Sequence, residues 1–207
     1  IAVTAGLLGT LNRDELQGVV AHEMSHIINR DVLVMTFAGM MLGAITLMAE
    51  VFTRSLWFGG GSRYKSKSSD KGGQAQIIIL VLAIALAILG PIMAQLLYFA
   101  ISRKREYLAD ASAVRLTRYP DGLASALEKI SGSNLDLKTA NKVTAPMYII
   151  NPLKKKGMQL SNVTSTHPPI TERINILRSM TQGVNYANYQ NAFNSVKGKT
   201  SGIIPQS

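Results

Sequence analysis

The sequence predicts a mainly α-helical protein that contains a transmembrane helical hairpin. Apolar residues recur at helical spacing over residues 16–28, with no proline to interrupt them. Two uncharged apolar runs follow, at residues 32–49 and 77–101. The hydrocarbon core of a bilayer needs about 20 apolar residues in a helix. The second run meets this length, with Pro91 tolerated inside it, and the first run comes close to it.

The composition supports the membrane interpretation. Charged residues make up 16% of the chain, whereas soluble domains contain about 25%. The net charge of +10 suits basic side chains at the level of lipid headgroups. A nucleic-acid binder could carry the same charge, but no aromatic-basic binding motif accompanies it, so we expect no nucleic-acid partner. The alternative for the two runs is a hairpin buried in a soluble core, and their length argues against it.

The two runs divide the chain into four segments. Residues 1–31 form the first part of a soluble domain and residues 32–101 form the hairpin, with a polar loop at about 54–76. Residues 102–183 form the second part of that domain, and residues 184–207 form a tail. Basic residues border both ends of the hairpin, which leaves the membrane orientation open. The chain begins without an initiator methionine, so we expect a processed or truncated piece.

Local signals predict where the helices begin and end. Thr10 can cap a helix whose first turn is acidic and which runs to Arg30. A final helix is expected at about residues 169–180, with Thr166 as its cap. Residues 2–4 form a short β-capable run, and the tail shows little periodicity.

The stretch AHEMSH indicates a metal site. His22 and His26 are four residues apart, so on a helix both rings lie on one face and can bind one ion. Glu23 lies where its carboxylate can take a proton from water that zinc has made acidic. The chain has no cysteine, which excludes disulfides, thiolate ligands and cysteine nucleophiles. The alternative is two exposed histidines on an ordinary helix, but the apolar neighbours of this turn predict burial.

A later helix supplies the best candidate for the third protein ligand that a catalytic zinc needs. The metzincin pattern fails, because Val32 stands where that pattern has a third histidine. Glu106 in REYLAD is the best candidate, and Asp110, on the same face, can accept the second ring N–H of a ligand histidine. A solvated glutamate beside two arginines is the alternative for Glu106. Other acidic residues also compete for the role, namely Glu50, Asp121, Glu128 and Glu172.

Three motifs occur in the order AHEMSHIINRD, SRKREYLADASAV and STHPPITERI. Together with the apolar hairpin between the first two, they resemble the HtpX heat-shock membrane zinc peptidases, which are gluzincins related to the CAAX prenyl proteases. The similarity covers about residues 2–180, and the three motifs in this order are highly specific. The resemblance implies a mostly helical, zincin-like peptidase domain with a small edge β-sheet, formed by the segments before and after the hairpin.

The resemblance also implies an activity. One zinc ion per chain would be bound by His22, His26 and Glu106, with Glu23 as general base. The protein would be a stress-response endopeptidase of the bacterial inner membrane that spans the bilayer several times, with its catalytic domain in the cytoplasm. It would cleave misfolded or damaged membrane proteins. The alternative is a catalytically inactive membrane adaptor, whose structural zinc would be closed by a fourth protein ligand.

The resemblance implies roles for two residues of the third motif, each with an alternative. His167 would stabilise an oxyanion or cover the zinc in a latent state, and an ordinary helix-terminal histidine is the alternative. Arg173 would contact the substrate backbone or pair with an acid such as Asp110 or Glu172.

Overall fold

The computed structural model describes residues 1–59, 73–132, 167–180, 183–198 and 202. These residues form seven α-helices and contain no β-strand. The chain divides into two compact units, one made of Ile1–Val32 and Ala100–Ser207 and the other of Leu33–Phe99.

The chain starts with helix α1 (Ala5–Thr10) rather than with a strand. The side chain of Thr4 accepts a hydrogen bond from the backbone N–H of Leu7, which caps this helix. The small edge β-sheet expected at residues 2–4 is therefore a wrong prediction for the described part of the chain. A strand needs a neighbour to satisfy its backbone groups, whereas a capped helix satisfies them locally.

Helix α2 (Arg13–Ile28) begins after Asn12 and not at the predicted Thr10, which is the last residue of α1. Asn12 Oδ1 accepts from the backbone N–H of Glu15 at 2.9 Å, and Glu15 Oε2 accepts from the N–H of Asn12 at 2.8 Å. This capping box satisfies two backbone donors that a free helix end would expose. The predicted end at Arg30 is slightly too late, because Arg30 adopts φ +53°, a left-handed conformation that cannot continue a helix.

Helix α2 lies very close to α5 (Pro120–Gly132) because glycines occupy the contact. A Cβ atom at Gly18 would lie 2.8 Å from the backbone nitrogen of Leu123, which is closer than real side chains approach. A Cβ atom at Gly122 would lie 2.9 Å from the backbone oxygen of Asp14. The absent side chains let the two backbones meet, and the contact fixes the position of α2.

Helices α3 (Asp31–Gly59) and α4 (Gly73–Thr117) contain the two apolar runs. The segments Asp31–Ser55 and Leu80–Thr117 are long and apolar enough to cross a membrane, by length and composition. Their most apolar stretches bury none of their residues inside the protein, the opposite of what a hairpin in a soluble core requires. From Ala100 onward, α4 belongs to the first compact unit, so only its earlier part is assigned to the membrane.

Helix α6 (Ile170–Arg178) falls within the range that the sequence predicts for the last helix of the domain. Its expected cap, Thr166, lies outside the described residues. Helix α7 (Tyr186–Lys197) lies in the tail, where the sequence shows little periodicity, and Asn185 caps it. Both helices contribute to the core of the first unit, which includes Tyr107, Val114, Leu123, Leu127, Ile176, Leu177, Tyr189 and Phe193.

Candidate metal centre

The candidate metal centre is built on one turn of α2. His22 and His26 project from the same face, as their spacing requires, and their Nε2 atoms lie 3.2 Å apart. The rings meet edge to face, with a centroid distance of 4.8 Å. His22 is buried, whereas His26 keeps part of its ring accessible. The pair therefore has one buried ring and one ring that is partly accessible from outside.

Glu106 brings a carboxylate to these two nitrogens from α4. Its Oε2 atom lies 3.7 Å from Nε2 of His22, and its Oε1 atom lies 3.7 Å from Nε2 of His26. One ligand atom from each of the three residues lies within 4.8 Å of the other two. Two ligand atoms that are each about 2.0–2.1 Å from a tetrahedral zinc lie roughly 3.3 Å apart, so the group needs only a small shift to enclose one ion.

Each histidine turns its other ring nitrogen toward a carboxylate. Nδ1 of His22 lies 2.9 Å from Oδ1 of Asp110, and Nδ1 of His26 lies 2.6 Å from Oδ2 of Asp31. An ionised carboxylate only accepts hydrogen bonds, so both pairings assign the proton to Nδ1. Each Nε2 atom then presents a lone pair toward the other ligand atoms, as metal binding requires.

Arg173 lies fully buried behind the site and pairs with two of its acids. Its Nη2 and Nε atoms donate to the two carboxylate oxygens of Asp110 at 2.7 and 2.8 Å, and its Nη1 atom donates to Oε2 of Glu106 at 3.2 Å. The two parallel bonds to Asp110 hold both groups in one plane. Glu172, the other acid considered for Arg173, accepts instead from the hydroxyl of Tyr107.

The surroundings keep both buried carboxylates ionised. Burial would raise the pKa of Asp110, but the charge of Arg173 and the hydrogen bonds from His22 and Arg173 lower that pKa below its ordinary value. Burial would likewise raise the pKa of Glu106, but the interaction with His167 and the charges of Arg173 and His22 outweigh it, and the net shift is downward. Ionised carboxylates are the form that attracts and binds a cation.

The outer histidine lies in a negative environment. Burial would lower the pKa of His26, but the hydrogen bond to Asp31 and the charges of Glu106, Asp31 and Glu23 raise that pKa above its ordinary value. These acids therefore favour positive charge at the position where the Nε2 atoms converge, and a metal cation can supply that charge in place of a proton.

The remaining two candidates, Glu23 and His167, border the same group. Glu23 is partly exposed and follows His22 on α2. His167 Nδ1 lies 3.3 Å from Oε2 of Glu106, in a geometry that does not make a hydrogen bond. Both ring nitrogens of His167 are buried without a hydrogen-bond partner among the described residues. Nδ1 faces Glu106, so Nε2 is the nitrogen available to a group bound at the site.

Sequence reasoning missed Asp31 and Arg105 at this centre. Asp31 holds the ring of His26, and Arg105 donates to Asp31 and to the backbone oxygen of Asn29. Asp31 lies in the first of the three motifs and Arg105 in the second. The five-residue spacing from His26 to Asp31 is not a helical one, and Arg105 is far from both in the sequence. The contact of Asp31 with His26 depends on the left-handed conformation of Arg30, and the contacts of Arg105 depend on tertiary structure, so no periodicity in the sequence reveals them.

Comparisons with known proteins identify the family of the chain. The sequence profile of peptidase family M48 matches residues 1–181. A protease HtpX homolog of Caldanaerobacter subterraneus subsp. tengcongensis is 49% identical over 182 residues. Proteins of the same name from Dictyoglomus turgidum and Dictyoglomus thermophilum are 49% and 50% identical, each over 180 residues.

These alignments cover 87% of the chain and 58%, 56% and 55% of the three relatives, respectively. The chain thus spans somewhat more than half the length of the curated relatives that it matches. No solved structure matches the chain significantly.

Proposed function

The chain belongs to peptidase family M48, and on that premise we propose that it is a zinc-dependent endopeptidase of the bacterial inner membrane. Its proposed substrates are misfolded or damaged membrane proteins, so that its role is protein quality control. The observation that carries the proposal is the convergence of His22, His26 and Glu106, whose ligand atoms lie within 4.8 Å of one another. The relatives reported above are proteases by name, which supports the same activity.

The three residues fit one zinc ion. Two imidazoles and one carboxylate form the ligand set of several catalytic zinc sites, and three protein ligands leave a further position open. Asp110 and Asp31 hold the two imidazoles in the tautomer that binding needs. When bound, zinc supplies a Lewis acid that polarises the scissile carbonyl and increases the acidity of water.

Glu23 is the proposed general base. It neighbours His22 on α2 and is not one of the three converging residues, so its carboxylate remains available for proton transfer. It takes a proton from the water whose oxygen attacks the carbonyl carbon, and it delivers that proton to the nitrogen of the leaving amine as the C–N bond breaks.

His167 is the proposed stabiliser of the oxyanion that develops on the scissile carbonyl. Its ring nitrogens are buried beside Glu106 without a hydrogen-bond partner in the described part of the chain, so an N–H can donate to an incoming oxygen. The alternative is a latent state in which His167 covers the zinc. Arg173 acts through Asp110 and Glu106, whose carboxylates it pairs and orients.

The membrane assignment rests on α3 and α4. Both contain a segment that is long and apolar enough to cross a bilayer, and their apolar stretches leave their side chains uncovered by protein. We propose that this hairpin anchors the peptidase in the bilayer and gives it access to membrane-protein substrates. The family resemblance favours a multi-pass protein with its catalytic domain in the cytoplasm.

A catalytically inactive adaptor with a structural zinc is the competing function. Structural zinc sites are normally closed by four protein ligands. Three residues, His22, His26 and Glu106, form the metal-binding group among the described residues. An open position favours the enzyme, whereas closure by a fourth protein ligand such as His167 would favour the adaptor or a latent enzyme.

Zinc content and casein cleavage, measured together on Glu23→Gln, test the proposal. We expect the variant to retain one zinc per chain and to lose cleavage, because the amide cannot accept the proton from water. Glu128→Gln is the matched control, since Glu128 lies on the exposed side of α5 and pairs with Arg178. Cleavage by Glu23→Gln at the control rate would refute the proposed mechanism.

A further inference from the structure

A partly buried ion pair between Asp31 and Arg105 lies next to His26. Oδ2 of Asp31 is 2.6 Å from Nδ1 of His26, and Oδ1 of Asp31 accepts from the guanidinium of Arg105. The two oxygens of one carboxylate therefore serve two different partners, a ring and a cation. We propose that Asp31, held by Arg105, is a positioning residue for the metal ligand His26. This inference rests on the proposed zinc site.

The same arrangement stands behind the other histidine of the site. Asp110 binds Nδ1 of His22 at 2.9 Å with Oδ1 and accepts from Arg173 with both oxygens. Each candidate ligand histidine thus contacts an aspartate through its Nδ1 atom, and each aspartate in turn pairs with an arginine. Helix α4 contributes one residue to each support, Arg105 to the first and Asp110 to the second, and the repeated arrangement points to a common requirement at the two rings.

The path of the chain explains how Asp31 reaches the ring. Helix α2 ends at Ile28, and Arg30 adopts φ +53°, a left-handed conformation that separates α2 from α3, which begins at Asp31. Arg105 donates to the backbone oxygen of Asn29 in the same turn. The guanidinium of Arg105 therefore binds both the backbone of the turn, at Asn29, and the carboxylate of Asp31 that follows it.

The burial of Asp31 makes its partners necessary. The residue is 5% exposed, and an ionised carboxylate at such a position is costly unless it is paired. Arg105 supplies the positive charge that pairs with one oxygen of Asp31, and the N–H of His26 donates a hydrogen bond to the other oxygen. Since the carboxylate of Asp31 accepts a hydrogen bond from the Nδ1–H group of His26, the lone pair of the ring is on Nε2, which faces Glu106.

A purely local role is the competing explanation for Asp31. As the first residue of α3 it also places negative charge at a helix N-terminus, which stabilises a helix. That role predicts a lower unfolding temperature and an unchanged metal affinity. The positioning role predicts weaker metal binding by a protein that remains folded, because the ring is then free to rotate and to change tautomer.

The test measures zinc affinity by competition with a chelator, on the full chain in detergent, for wild type, Asp31→Ala, Asp31→Asn and Arg105→Ala. Loss of such a support weakens metal binding by about 10–100-fold, and we expect this loss for Asp31→Ala. Asp31→Asn should recover part of the affinity, because its amide oxygen can still accept from Nδ1. Unfolding temperatures of the zinc-free proteins, recorded in parallel, establish that each variant is folded.

Glu15→Gln is the matched control. Glu15 is also a buried acid, caps α2 and pairs with Lys129 at 2.8 Å, away from the ligand group. We expect this variant to unfold at a lower temperature and to bind zinc with wild-type affinity.

The possible failures can be told apart. Wild-type zinc affinity in both Asp31→Ala and Asp31→Asn would overturn the positioning role and leave the zinc site standing. If Asp31→Ala does not fold, Asp31→Asn and Arg105→Ala decide the question by the same measurement. Absence of zinc binding by the wild-type chain would overturn the proposed function, and the inference with it.

Discussion

Nδ1 of His22 lies 2.9 Å from Oδ1 of Asp110, and neither side chain is more than 1% exposed. The contact is inaccessible to water, so the orientation of the ring is set by a carboxylate that cannot be solvated in its place. Nη2 of Arg173 pairs with the same carboxylate oxygen at 2.7 Å. Positioning of the candidate ligand and stability of the buried core therefore depend on the same three groups.

Removal of Arg173 should strongly destabilise the protein. Arg173→Ala leaves the buried carboxylate of Asp110 without its counter-charge, and breaking such a buried pair costs about 3–5 kcal/mol in the free energy of unfolding. Denaturant unfolding of the zinc-free chain in detergent measures this loss. Arg178→Ala, which removes exposed ion pairs to Asp121 and Glu128, should cost no more than about 1 kcal/mol. Equal losses in the two variants would contradict the role assigned to Arg173.

Acid should destabilise the zinc-free protein partly through Asp110. Its folded-state pKa is lowered, so its stabilising contribution is complete above the unfolded pKa of about 3.9 and is lost as the pH falls through the folded value. We expect the free energy of unfolding to decrease as the pH falls below about 5. Asp110→Asn should lower stability at neutral pH and flatten this decrease. An unchanged pH slope in the variant would exclude Asp110 as a source of the acid sensitivity.

The contact between α2 and α5 should not tolerate a side chain at Gly18. Gly18→Ala would place Cβ 2.8 Å from the backbone of Leu123, so the helices must separate. Such overpacking costs about 1–3 kcal/mol, and the displaced α2 should also bind zinc more weakly. Gly132→Ala is the control, because no atom lies within 4 Å of a Cβ built there. A Gly18→Ala variant as stable as this control would show that the close contact is unimportant.

Substitution of His167 should separate its two proposed roles. If the ring donates to the developing oxyanion, His167→Ala should lower kcat by about 10²–10³-fold, as loss of one such donor does, with little change in zinc content. Steady-state cleavage of a fluorogenic casein derivative gives kcat and KM separately. We expect the loss in kcat; an increase in activity would instead identify His167 as a latent-state cover.

Features set by helical period could be located from the sequence. His22 and His26 share a face because any α-helix places residues four apart on one side, and the same rule links Glu106 with Asp110. The two apolar segments follow from length and composition alone. The structure brings these side chains together, while their roles in metal binding and catalysis stay predictions.

Features set by tertiary context could not be located in this way. Asp31 reaches His26 through the left-handed turn at Arg30, and a turn of this kind leaves no period in the sequence. Helix α7 was missed because its polar and aromatic residues show a weak pattern, although Tyr189 and Phe193 are buried in the core. The prediction of a strand at residues 2–4 was wrong, because a β-capable run forms a strand only beside a partner strand. Thr4 caps a helix instead.

Zinc per chain in Glu106→Ala tests the central claim most directly. The wild-type chain, purified in detergent and dialysed against a weak chelator, should hold one zinc ion by atomic emission. Glu106→Ala should lose it, because one of the three converging ligand atoms is gone. Glu128→Ala, with an exposed glutamate removed, should keep it. Zinc bound by Glu106→Ala at wild-type affinity would contradict the proposed metal centre.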